Sequence, residues 1–149
     1  MIDQEDVSLA QASGSEHVAA SRIRTLAVWF LIVQGVGVVA WWLVLLLYPP
    51  ARSPFMVPGA PDATLLAFLV ADLLLYAGGS FVAAYGLGRG RPWGWPALCV
   101  NTGAAAYATL YGLALPLVSG AGWLGAVMMA PSLVVLPILV WRLRPGSSP

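Results

Sequence analysis

Four long apolar runs, at residues 25–48, 63–87, 93–118 and 121–143, take up most of this 149-residue chain and dictate the solvent in which it folds. Each reaches the roughly 20 residues that a helix needs to cross about 30 Å of hydrocarbon. In that layer an open sheet edge leaves backbone groups unpaired, so spanning segments of this length are helices. The pattern predicts an all-α fold: an integral membrane four-helix bundle, up-down-up-down, with the spanning domain at 22–144. Only 9% of the residues are charged, against about 25% in soluble domains. What remains is a polar segment at 1–21 and a short tail at 145–149, so no soluble catalytic domain is expected. Residues 1–21 carry Asp3, Glu5, Asp6 and Glu16 without a lysine or arginine. They read as a disordered cytoplasmic tail, or at most a short surface helix, and not as a cleavable signal.

The arginines set an orientation. Arg22 and Arg24 precede the first run, Arg89 and Arg91 lie between the second and third, and Arg142 and Arg144 lie at the end of the fourth. With four alternating crossings, six of the seven arginines share one face and Arg52 alone lies opposite. Short cytoplasmic loops collect basic residues, which puts both termini in the cytoplasm. The lysine-free, Ala/Gly/Arg/Pro-rich usage suggests a bacterial source, and hence a multi-pass protein of the bacterial cytoplasmic (inner) membrane.

Several chemistries lack their residues. No lysine is present, which removes a Schiff base and a Walker-type phosphate loop. Cys99 is the sole cysteine and His17 the sole histidine, outside the runs, so no zinc, iron–sulfur or haem ligand set is expected and no cofactor is assigned. A net charge of +1 gives no basic field for nucleic acid. Membrane lipids are the expected partners, together with a second copy of the chain or another membrane protein.

The connections are distinctive. Residues 49–62 hold five prolines around an apolar centre, Phe55-Met56-Val57. They form either a stiff loop resting on the membrane or a lid over an outward opening. Asp62, after Pro61, is expected to cap the second helix. In the inner turn, glycines from Gly86 onward end helix two and Pro92 starts helix three. Arg89 and Arg91 there could contact anionic lipid head groups. In the third run Ala104, Ala108 and Gly112 recur every four residues, a small-residue stripe suited to tight helix packing. Pro131 and Pro137 are expected to kink the fourth run or to leave carbonyls free.

Asp72 is the only carboxylate inside a run. Placing it there costs about 3 kcal/mol on insertion scales, and such residues face protein or a wet cavity. At 1.5 Å per residue it lies about 13–15 Å from the outer end of its span. Gln34 and Asn101 fall at about 12–15 Å from the inner ends of theirs, and Ser132 about 16 Å from the outer end of the fourth. All four sit near the middle of a core about 30 Å thick. They can form a belt that Tyr76, Tyr107 and Tyr111 extend, with Trp41 adding aromatic surface. As helix glue, these groups would bond one another and leave no void. As a pocket, they would bind a small amphipathic or lipid-like ligand, or relay a proton, with Asp72 as the key group.

Four spans with one buried acid resemble the DoxX-like and emopamil-binding families in span number and in that acid. No motif of either family is matched, so no residue role carries over. The absence of paired reactive groups favours a non-enzymatic interaction or structural subunit, packing through the small-residue face of span three. The alternative is a midplane pocket around Asp72 that binds a lipid-like molecule, with transport or isomerisation as its outlets.

Overall fold

A computed structural model describes residues 4–146, with side chains described from residue 20 onward. The described residues are helical, without strands. Helix α1 spans Gln4–Leu47, α2 Asp62–Leu66, α3 Leu69–Ala71, α4 Gly79–Gly88, α5 Gly94–Ser119 and α6 Trp123–Arg142. A π-helical stretch, Asp72–Gly78, joins α3 to α4, and a short 3-10 helix, Pro49–Phe55, follows α1. Four stretches are long and apolar enough to cross a membrane: Ala20–Leu47, Asp62–Gly88, Gly94–Ser119 and Trp123–Arg142. The segment expected as a disordered tail is helical from Gln4 and continuous with the first of these. It has alanines, glutamine and glutamate but no proline to stop a helix.

The surface is apolar and the interior is built from small residues and leucines. Leu26, Val36, Leu74, Val100, Leu117 and Val127 all point outward and are mostly exposed. An apolar exterior of this kind suits lipid and not water. The centre holds Ala27 and Leu31 from α1, Ala83, Ala84 and Leu87 from α4, Leu98 and Ala105 from α5, and Leu136 and Leu139 from α6. Helix α1 packs on α4, α4 on α5 and α5 on α6, whereas α1 and α6 barely touch. That thin fourth contact leaves a cleft on one side.

Glycines set the closest approach. A Cβ on Gly94 would lie 2.6 Å from the Gly86 carbonyl carbon, so α4 and α5 meet backbone to backbone. Gly86 therefore packs helices instead of ending one. The stop comes later, where Gly90 takes φ +61°, Arg91 N–H donates to Gly86 O and Gly90 N–H to Leu87 O. This is a Schellman cap, which a residue without Cβ adopts at low cost. Helix α5 begins at Gly94, two residues beyond the Pro92 expected to start it. At the same end, Trp95 Nε1 donates to Val140 O at 3.0 Å and satisfies a carbonyl in the last turn of α6. Pro131 and Pro137 lie inside α6, which stays helical throughout.

The proline-rich connection is tied down by Arg52. Its Nε donates to Leu45 O at 2.8 Å, near the end of α1, and its Nη1 pairs with Asp62. Asp62 is thus not the cap expected of it: Pro61 holds the cap position without a side-chain bond, and the Asp62 carboxylate turns to the guanidinium. Because Asp62 is half-exposed, Asp62→Asn is expected to cost less than about 1 kcal/mol in thermal unfolding in detergent. Arg52→Gln should cost more, since a helix carbonyl also loses its donor. The reverse order in that measurement would contradict the assignment.

Candidate functional site

The four polar residues expected at the midplane, Gln34, Asp72, Asn101 and Ser132, are spread over α1, the π stretch, α5 and α6. Gln34, Tyr76 and Ser132 meet directly. Tyr76 OH donates to Ser132 Oγ at 2.6 Å, and Ser132 donates to Gln34 Oε1 at 3.0 Å. Gln34 Nε2 donates to Ser80 Oγ at 2.8 Å, and Ser80 donates to the Tyr76 carbonyl at 2.6 Å. The donors run one way around a closed ring that ties three helices together. Such rings polarise their members and are stronger than isolated bonds.

Asn101 reaches the same ring from α5. It is wholly buried, and its side chain lies over Gly79, where a Cβ would come within 2.9 Å of it. Its Oδ1 is 3.4 Å from Ser80 Oγ, whose proton is already donated, while its Nδ2 has no partner among the described residues. Turning the amide over would let Nδ2 donate to the second lone pair of Ser80.

Asp72 stands apart from the ring. Its Oδ2 accepts a bond from Trp42 Nε1 at 3.1 Å, and its other oxygen has no partner among the described residues. It bonds neither Asn101, Gln34 nor a tyrosine. The helical geometry accounts for this. The π stretch starts at Asp72, and its wider turns rotate the residues beyond it away from α-helical register. Gly78 tolerates the crowding at its far end, where a Cβ would sit 3.2 Å from Leu73 O.

Beside Asp72 lies a cavity of about 310 Å³, filling the gap between α1 and α6. One wall is polar, with Gln34, Asp72, Tyr76 and Ser132. The rest is apolar and soft, with Phe30, Trp41, Met128 and Met129. Gly37 opens onto this space, with nothing within 4 Å of a Cβ built on it. A second cavity, of about 120 Å³, lies towards the proline-rich connection and shares Trp41, Asp72, Gly125 and Met129 with the first. Phe55 forms part of its wall and packs edge-on against Trp41, with ring centroids 4.0 Å apart. The connection therefore inserts an aromatic ring among the helices at this end instead of only resting on them.

Of the expected site residues, Asp72, Gln34, Tyr76, Ser132 and Trp41 line the larger cavity, and Asn101 backs the ring behind it. Tyr107 does not join them: it is 72% exposed. Six residues after Asn101, it lies about 120° around the helix. Tyr111 stacks near Tyr107 and against Phe68, and reaches only the smaller cavity. The buried stripe of α5 is Leu98, Asn101, Ala105 and Thr109, one position off the expected Ala104, Ala108 and Gly112. Those three are half-buried, and Ala108 and Gly112 line the smaller cavity, so the stripe is not a free outward face. Arg89 lies over the Tyr85 ring at 5.3 Å, and Arg91 is exposed in the turn between α4 and α5.

Two residues of this polar cluster escaped sequence reasoning. Trp42 lies in an apolar run with nothing in the sequence to mark it, yet its indole N–H is the donor to Asp72. Ser80, one turn from Tyr76, is the hub of the ring, and its spacing was a readable signal. Comparison of the chain with family models, curated proteins and solved structures finds no match.

Proposed function

We propose that this chain is a multi-pass membrane protein that holds a small amphipathic, lipid-like molecule in the cleft between α1 and α6. Its four spans alternate up-down-up-down, and both termini lie with the arginine-bearing turns on the cytoplasmic side. The polar end of the ligand meets Asp72, Tyr76 and Gln34, and its apolar part lies against Trp41, Met128 and Met129. One observation carries this proposal: a void beside the only carboxylate inside a span, which helix glue would not leave. The volume is at the lower end of the range for small-molecule pockets, and the mix of an apolar lining with a few convergent polar groups is typical of them. A cleft between two spans that barely touch opens sideways, so a ligand enters from the bilayer without crossing water.

Gly37→Leu tests this directly. The added side chain enters open space and should not weaken folding, because leucine also suits a helix better than glycine by about 0.8 kcal/mol. Wild type and variant are purified in the same detergent, and bound small molecules are extracted and quantified by mass spectrometry. The wild type should carry an amphipathic species that Gly37→Leu lacks at equal thermal stability. Identical extracts from the two proteins would overturn the proposal.

A further inference from the structure

We infer that the ligand of this cleft is an amphipathic amine, held as an ammonium group against Asp72. The inference rests on the binding function proposed above and names its ligand class. It comes from what the polar wall leaves unused. The hydroxyl protons of Tyr76, Ser132 and Ser80 are all donated within the protein. Among the residues that line the cavity, the capacity left over is mostly accepting: the second Asp72 oxygen and the lone pairs of Tyr76, against one remaining N–H of Gln34. A wall of acceptors selects a ligand rich in donors.

Charge narrows the choice further. The basic residues of the four spans, Arg22, Arg24 and Arg142, sit at span ends, several turns from the level of Asp72, and among the described residues Asp72 forms no ion pair. Intramembrane acids are otherwise paired with bases or with backbone groups. A ligand ammonium would be that missing partner, with three donors for the accepting wall. The rings of Phe30, Trp41 and Tyr76 also line the cavity, and aromatic faces attract cations. A carboxylate or phosphate head group would meet the Asp72 charge with only the Gln34 N–H to receive it.

The test compares dodecylamine, dodecanol and dodecanoate, which share one chain and differ in head group. Each is titrated calorimetrically into the full chain in phosphatidylcholine nanodiscs near neutral pH, and the heat with empty discs is subtracted. The amine should bind at least about tenfold more tightly than the alcohol, as a charge-assisted bond exceeds a neutral one. Dodecanoate should show no saturable binding. Asp72→Asn keeps an oxygen for Trp42 and should bring the amine down to the affinity of the alcohol. Equal affinity of amine and alcohol for the wild-type chain, or preference for dodecanoate, would overturn the amine assignment and leave ligand binding standing. No saturable binding of any of the three would overturn both. The wild-type ranking decides the question even if Asp72→Asn fails to fold.

Discussion

Gly94→Ala is expected to destabilise the folded chain by about 3 kcal/mol, the upper part of the range for overpacking a tight contact. The methyl carbon would fall 2.6 Å from Gly86 C and 2.7 Å from Leu87 N. Both are backbone atoms of α4, so no flexible side chain can swing away. Relief requires the two helices to separate, and that would disturb Leu87 and Leu98 in the core nearby. Helix propensity runs the other way, since alanine is favoured over glycine by about 1 kcal/mol. The clash outweighs it. Gly103→Ala is the matched control on the same helix: nothing lies within 4 Å of its Cβ, so propensity alone should act there and stabilise slightly. Unfolding of both variants by denaturing detergent, followed by circular dichroism, should separate them from wild type in opposite directions. Coincident curves for Gly94→Ala and wild type would refute the close crossing.

Trp42→Ala should cost a similar amount, about 3 kcal/mol, for a different reason. Trp42 is only 2% exposed. In a soluble core the same truncation costs about 3–5 kcal/mol, part from transfer out of water and part from the cavity left behind. Lipid is as apolar as the core, so the transfer part fades and the cavity part remains. Loss of the indole N–H then leaves Asp72 without a donor, worth about 1–3 kcal/mol. Trp42→Phe isolates that second term, because it keeps most of the ring volume, and should cost about 1–2 kcal/mol. On an Asp72→Leu background the same change should cost much less, since no acceptor remains. A Trp42→Phe penalty that is the same on both backgrounds would mean that the bond contributes nothing.

Much of the architecture was legible in the sequence because bilayer thickness is a hard constraint. Four runs of sufficient length, ended by Tyr48-Pro49-Pro50 and by glycine-bearing turns, correspond to the four long apolar stretches of the fold. Which residues share a level along the helices was also legible, since rise per residue in a helix is nearly fixed. Gln34, Tyr76 and Ser132 do meet.

Rotation was less legible than level. Which residues face inward depends on turn width, and nothing local in Asp72-Leu-Leu-Leu-Tyr announces a π stretch ahead of Gly78-Gly79. Asp72 therefore found Trp42 and not the ring. Tyr107 is a different case: its angle from Asn101 is set by 3.6 residues per turn and could have excluded it beforehand. The fate of Asp62 was set by a partner ten residues away, Arg52, across an irregular connection that no periodicity describes. The cleft itself had no signature in the sequence. It results from α1 and α6 failing to close on each other, which is a property of packing and not of any one segment.

The most direct test is to find where a bound amphiphile sits. Long-chain amine and alcohol probes bearing a diazirine at the chain end are irradiated with the 149-residue chain in phosphatidylcholine nanodiscs, and the labelled residues are mapped by peptide sequencing. Label concentrated on Trp41, Met128 and Met129, and removed by excess unlabelled amphiphile, is the predicted result. Label scattered over lipid-facing positions such as Leu26, Val100 and Leu117, without competition, would contradict a binding cleft at Asp72.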